Sequence, residues 1–354
     1  MNLKLSSIQI PSRFDDNLII DSCYIPSHAA YDGLIIISSG VHGIEGLVGS
    51  AIQIMFIREI LPEHIDFSKT GVLIIHSINP YGHKYFRRVS ENNVDLNRNF
   101  DIDGRIFKAN NHAYSKLEFF LNPKKAYAHN NLKYSIHLIK TLAFAIKFGP
   151  RNMRQAILQG QYQYSKGIFW GGNRFESQIN LLRELISKTI KPYQCIIVID
   201  LHTGYGKRGK LYLLPYIASN SLKLNNIMNK LFEGYEIEAG SLQNKETEFY
   251  RVTGSFIEYV RNLSKKEQIC IPIAFEFGTL NSDKKIGQIR SLQIMIEENQ
   301  GFHYGYRSKR DEEMIKDVFK EMYFPSDPVW RNQIMIRSRE TLKKIINRFQ
   351  CIYA

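Results

Sequence analysis

Short apolar runs set off by polar, proline- and glycine-marked stretches make up much of the chain, and its tail after Gly287 turns to apolar residues spaced three and four apart. Residues 18–25 and 34–39 are rich in β-branched and apolar side chains and are bounded by Pro26 and by Asp32-Gly33, which predicts neighbouring strands. Ile44 to Ile60 is amphipathic and predicts a helix, with Pro62 and Gly71 as punctuation beyond it. Val72-Leu73-Ile74-Ile75 is then a continuous apolar run of the kind found in strands buried on both faces. Strand, helix, strand implies a largely parallel sheet. Asn79-Pro80-Tyr81-Gly82 reads as a turn, because proline presets φ and glycine accepts positive φ.

Between Arg87 and Phe100 the chain is polar without being repetitive, and its arginines with interleaved asparagines suit recognition of a carboxylate. Residues 101–190 change character. Apolar residues recur at helical spacing over 117–121, 132–148, 153–158 and 176–190, interrupted by Asn122-Pro123 and Gly149-Pro150, and predict a helical insertion. Lys166 to Asn173, a glycine and aromatic segment, reads as a loop at the rim of a site.

Cys195 to Ile199 and Ile269 to Phe275 are further buried-strand runs, and Gln288–Glu298, Asp311–Met322 and Gln333–Phe349 predict helices that cover the sheet. The chemistry collects where such strands end. The first run leads into Val41-His42-Gly43-Ile44-Glu45-Gly46, and Cys195–Ile199 leads into Asp200-Leu201-His202-Thr203-Gly204. An imidazole and a carboxylate three residues apart can chelate one zinc ion if the backbone turns sharply between them, a freedom assigned here to Gly43 and Gly46. His202 offers a third ligand at a second strand end, the edge at which open α/β sheets keep their sites. Glu276 closes the Ile269–Phe275 run, and an acid in so apolar a context is costly unless it is used.

At 354 residues, with 44% hydrophobic and 23% charged positions, the chain has the make-up of a globular protein, and no apolar run approaches the roughly 20 residues of a membrane span. The N-terminal residues lack an apolar secretory core, so the expected compartment is the cytoplasm. Cys23, Cys195, Cys270 and Cys351 stand singly, without a metal-binding or redox pair. A net charge of +13 favours acidic partners, but the lysines and arginines are dispersed and form no recognisable nucleic-acid module.

Taken in order, His42-x-x-Glu45, Asn79-Pro80-x-Gly82, Asp95-x-Asn97-Arg98-Asn99-Phe100, His202 and Glu276 resemble the zinc carboxypeptidases of the carboxypeptidase A superfamily, in an uncharacterised bacterial branch. The match runs from about Leu18 to Leu280 and covers the 101–190 insertion weakly. It implies one catalytic domain over 1–354: an α/β fold with a mixed, largely parallel twisted sheet of about eight strands, helices on both faces, and the helical insertion. It further implies one zinc ion per chain on His42, Glu45 and His202, with Asp95 behind a ligating histidine. Glu276 would be the general base, and Arg88, preferred over Arg87, the oxyanion residue. Asn97 and Arg98 would hold a substrate carboxylate. A weaker match, Tyr250 to Tyr259, would make Tyr250 a closing tyrosine and put Ile257 in the side-chain pocket, favouring an apolar terminal residue. The implied activity is removal of a C-terminal residue from a peptide with a free carboxylate. Two alternatives stand beside it: an amidohydrolase of the aspartoacylase or succinylglutamate desuccinylase type acting on small N-acyl amino acids, and a non-catalytic module binding acidic polymers.

Overall fold

The computed structural model describes residues 3–129, 149–216, 222–235 and 252–353, with 136, 139–141, 143–144 and 146–147 between the first two spans. Among them seven strands form one sheet: β1 (Lys4–Gln9), β2 (Ile19–Ile25), β3 (Gly33–Ser39), β4 (Thr70–His76), β5 (Cys195–Gly204), β6 (Leu211–Pro215) and β7 (Ile269–Gly278). Their order is β1-β2-β4-β3-β5-β7-β6. The central pairings, β4 with β3, β3 with β5 and β5 with β7, are parallel, and the outer ones are antiparallel. The sheet is therefore mixed with a parallel centre, and has seven described strands where about eight were expected.

Side chains alternate across this sheet, as the period-2 geometry of a strand requires. Ile35 and Ile37 of β3 and Ile197 and Ile199 of β5 join a core with α1 (Gly46–Met55) and the C-terminal helix. Leu34, Ile36, Ile196 and Val198 pack on the other face against α2 (Ser177–Ile190) and α3 (Phe256–Leu263). Each fully buried aliphatic side chain contributes about 1.5 to 3 kcal/mol, so helices on both faces make the continuous apolar runs worth keeping. Helix α1 runs on through a wider π turn, Phe56–Ile60, into Leu61–His64, matching the amphipathic stretch expected to Ile60.

Three helices follow β7: α4 (Lys285–Tyr304), α5 (Lys309–Tyr323) and α6 (Pro328–Gln350). All start earlier than their apolar spacing suggests. Ser308 caps α5 by accepting from the Asp311 amide, and Asp327 caps α6 from the Val329 amide with Pro328 in the first turn. Within 101–190 the helices over 150–158 and 177–190 form where expected, whereas the one expected over 132–148 lies largely outside the described residues. Two readings are corrected. Asn79-Pro80-Tyr81-Gly82 is the start of a short helix, Pro80–Lys84, whose Asn79 side chain accepts from the Gly82 amide. Lys166–Asn173 is no exposed rim, since Ile168, Phe169 and Trp170 are buried and the Trp170 carbonyl accepts from the Asp95 amide at 2.7 Å.

Candidate metal centre

The parallel centre of the sheet brings three strand ends together. After β3 the chain turns at Gly40, whose φ is +68°, and presents His42 and then Glu45 in a single 3-10 turn, Gly43–Glu45. The positive backbone angle expected at Gly43 and Gly46 is found at neither. Gly46 is in the ordinary right-handed region at φ −58°, and the positive φ falls at Gly40. Gly43 is needed for close approach, because a Cβ there would lie 2.2 Å from the Gly82 carbonyl carbon. On β5 and β7, His202 and Glu276 are direct register partners.

His42, Glu45 and His202 are 5%, 2% and 4% exposed, and each offers a ligand atom within 4.8 Å of the others. Glu45 sits between the rings: its Oε1 is 2.9 Å from His42 Nδ1 and its Oε2 is 2.9 Å from His202 Nδ1. The far nitrogen of each ring meets an aspartate. His202 Nε2 lies 2.6 Å from Asp200 Oδ2, and Ser38 donates to the other oxygen of Asp200 at 2.7 Å. His42 Nε2 lies 3.2 Å from Asp95 Oδ1. Carboxylates behind both histidines, with both Nδ1 atoms turned on one glutamate, are the donor set and the outer support that a divalent transition metal uses. The residues present fit zinc.

Burial alone would push Glu45 up, but the charges and hydrogen bonds of His42 and His202 outweigh it and hold its carboxyl below the usual range. Asp95 is likewise penalised by burial and nonetheless held well below its ordinary value by Arg98, Arg88 and His42. His202 loses by burial but is raised well above the usual histidine range by Asp200 and Glu45. Glu276 goes the other way: desolvation, then the nearby charge of Glu45, push it up to about 8, against the hydrogen bond it accepts from the Tyr205 amide at 2.9 Å. Four carboxyl groups, Glu45, Asp95, Asp200 and Glu276, thus share the centre with two arginines and two histidines, so each buried charge has a partner of opposite sign.

The neighbouring arginines part ways. Arg87 pairs with Glu298 at 2.7 Å and lies over Phe302, away from the centre. Arg88 points inward, with Nη1 3.2 Å from Glu45 Oε1 and Nη2 3.3 Å from Asp95 Oδ2 and 2.6 Å from His42 Nε2. Arg98, only 1% exposed, pairs with Asp95 at 3.3 Å and donates to the Leu158 carbonyl at 2.5 Å, while its Nε has no partner among the described residues. Asn97 Oδ1 accepts from the Phe256 amide at 3.0 Å, beside the buried Ile257 of α3. Tyr250 lies outside the described residues.

Sequence reasoning passed over three contributors. Asp200 stands two residues before His202 on one strand, so the two share a face, and an acid inside an apolar run was the signal for it. Phe169 spreads its ring 5.7 Å from the Arg88 guanidinium and 5.4 Å from that of Arg98. Tyr323, the last residue of α5, is buried at the centre, where its carbonyl accepts from Thr203 Oγ1 at 2.7 Å, and no local pattern announces it.

A family model described as protein of unknown function (DUF2817) matches residues 1–337. The chain belongs to this family. Among solved structures, this DUF2817 member is similar to bovine thrombin-activatable fibrinolysis inhibitor (14% identity, 90% of this chain and 89% of that one, TM-score 0.45). It is also similar to carboxypeptidase A from Helicoverpa armigera (14%, 89% and 68%, TM-score 0.47). A third is the murein-tripeptide amidase MpaA from Escherichia coli O157 (16%, 83% and 91%, TM-score 0.34). No curated protein matches the chain. Among the described residues, no helix is long and apolar enough to cross a membrane.

Proposed function

We propose that this chain is a zinc-dependent hydrolase of amide bonds, acting as a metallocarboxypeptidase on the C-terminal residue of a peptide. The observation that carries the reading is the pair of aspartate-backed histidines closing on Glu45, with Glu276 one strand over from His202. His42, Glu45 and His202 would hold one ion per chain, and zinc bound there supplies Lewis acidity toward a carbonyl and acidifies a coordinated water. Glu276 is the base in this reading. Desolvation and the nearby charge of Glu45 raise the proton affinity of this carboxyl in the metal-free centre, and a cation bound beside it would favour its ionised form, which takes a proton from water and returns it to a leaving amine. Arg88 offers a guanidinium where negative charge would develop on the scissile oxygen. Arg98, with its unpartnered buried Nε, and Asn97 would fix the substrate carboxylate, and Ile257 would line the pocket beyond it. The chain is read as one catalytic unit with 101–190 as an insertion.

One observation favours the runner-up, an amidohydrolase of small N-acyl amino acids. The insertion closes over Arg98: Leu158 accepts its hydrogen bond, and a Cβ on Gly160 would lie 2.6 Å from Arg98 Cγ. Little room is left beyond a compact substrate on that side.

Metal analysis of the purified full chain, followed by a panel of peptides, C-terminally amidated peptides and N-acyl amino acids, tests both readings. Stoichiometric zinc and release of C-terminal residues, faster from apolar than from charged termini and suppressed by amidation, are expected. Hydrolysis of N-acyl amino acids alone would select the runner-up, and absence of zinc from the full-length protein would overturn both.

A further inference from the structure

A cavity of about 700 Å3 lies between α4, α5 and the loop that leaves β7, and neither the candidate ligands His42, Glu45 and His202 nor Glu276 lines it. Leu280, Met314, Ile315 and Val318 give it an apolar side. Along α4 its polar residues are ordered by charge, with Lys284 and Arg290 toward the start of the helix and Gln293 and Glu297 further on. Positions 290, 293 and 297 are three and four apart and so share one helix face. Lys284 immediately precedes α4, whose first amides lack partners within the helix, and this strengthens the positive end. Asn281 adds a donor there, because its Oδ1 takes the Arg208 amide at 2.9 Å and its NH2 group remains.

Gln293 decides what the other end takes. It is 3% exposed, and its Nε2 donates to Glu297 Oε1 at 2.9 Å, while its Oε1 has no partner among the described residues. A buried amide oxygen left without a donor is costly, so it calls for one from the occupant of the cavity. Glu297, which also accepts from the Tyr127 hydroxyl at 3.3 Å, puts negative charge beside it, and the two together suit an ammonium group. A simple anion would leave this end unmatched, a simple cation would face Lys284 and Arg290, and a purely apolar ligand would satisfy neither end. Arg290 and Gln293 stand about 4.5 Å apart along the axis at 1.5 Å per residue, a spacing that suits a carboxylate and an ammonium on one carbon. We propose that this cavity binds a free α-amino acid with a large apolar side chain, its carboxylate at Lys284, Arg290 and Asn281 and its ammonium at Gln293 and Glu297. The side chain packs on Met314, Ile315 and Val318. Such a compound is what the activity proposed above would release, but the binding does not depend on that reading.

Equilibrium dialysis of the full chain against radiolabelled L-phenylalanine tests it. One molecule per chain should bind. Competition by 3-phenylpropanoate, which lacks the ammonium, and by L-phenylalaninamide, which lacks the carboxylate, should each be weaker than that of unlabelled phenylalanine by about tenfold or more, the scale of a lost charge-assisted hydrogen bond. Gln293→Leu, which keeps the bulk and removes the acceptor, and Lys284→Ala, at an exposed position, should each weaken binding by about tenfold while circular dichroism shows an unchanged fold. Binding should persist in the His42→Ala, His202→Ala double variant. Loss of binding in that variant, with Gln293→Leu and Lys284→Ala without effect, would put the amino acid at the metal centre and overturn the proposal. Equal competition by either analogue, or no saturable binding to the wild-type chain, would overturn it as well. The expected pattern in a chain that releases no C-terminal residue from peptides would uphold this site and sink only the proposed activity.

Discussion

The two histidines of the centre face the same glutamate, yet they are supported in different ways. His202 draws its aspartate from its own strand, two residues earlier, and that aspartate is steadied by Ser38 on the adjacent strand β3. His42 is backed by Asp95, reached across a loop 53 residues further on, and that aspartate also answers to Arg88 and Arg98. One support is built into the regular sheet, and the other is assembled from irregular chain and shared among three partners. A ligand held by the sheet is set as soon as the strand forms, whereas one held by shared loop contacts can be contested, as His42 is by Arg88.

The largest effect should come from removing both rings. His42→Ala with His202→Ala is expected to abolish stoichiometric zinc while leaving the sheet folded, as read by metal analysis and circular dichroism; retained zinc would move the centre elsewhere. Glu276→Gln should keep metal and fold and lose about 10² to 10⁴ in turnover, the usual weight of general acid/base catalysis. Near-normal turnover would assign the base to another group.

Comparing the two supports directly, Asp95→Asn and Asp200→Asn should each cost about 10 to 100-fold in zinc affinity. Asp95→Asn should also lower unfolding stability by about 3 kcal/mol, because the buried Arg98 and the partly buried Arg88 lose their carboxylate, and urea titration should show the smaller loss for Asp200→Asn. Equal stability losses would mean that the loop-built support is no more shared than the strand-built one.

The metal-free protein should also respond to pH. Glu276 in the folded chain keeps its proton up to about 8, well above its unfolded value, so between roughly pH 4.5 and 8 the native state holds the extra proton and stability falls as pH rises. His202, raised above its ordinary value, adds stability that is complete below the unfolded histidine range and fades as pH climbs through its folded value. Glu45 and Asp95 act oppositely and lose their contribution as the medium turns acid. Thermal melts of metal-free Glu276→Gln should therefore decline less than wild type between pH 6 and 8.5; parallel declines would remove Glu276 from the account. The smallest effect is expected of Ser38→Ala, which should cost about 1.5 kcal/mol through one hydrogen bond to a charged group, without loss of zinc.

The same contrast governs what could be read before the fold was known. Strands β3, β4, β5 and β7 are buried on both faces and so appear as unbroken apolar runs. β1, almost wholly exposed as Lys4-Leu5-Ser6-Ser7-Ile8-Gln9, and the short edge strand β6 carry no such run and went unseen. The candidate ligands at strand ends, and Asp95 through its motif, were legible because they are local to one element each. Tyr323 could not be, because it reaches the centre from 120 residues beyond Thr203, by packing alone. The choice between Arg87 and Arg88 was open on spacing and is separated in space only by Glu298, far off in the chain, which takes Arg87.

The contact between Gly43 and Gly82 reaches beyond local sterics. The turn that carries His42 and Glu45 and the 79–88 segment touch backbone to backbone, and the Gly43 and Ile44 amides donate to the carbonyls of Arg88 and Arg87 at 3.2 and 3.0 Å. Asn79 closes the seam by donating from its side chain to that same Arg88 carbonyl at 3.3 Å. These two stretches are in effect one part, which carries a histidine, a glutamate and an arginine at preset offsets. An engineer transplanting the centre to another scaffold would have to move residues 40–46 and 79–88 as a single graft, and a graft of the first alone would arrive without its ruler.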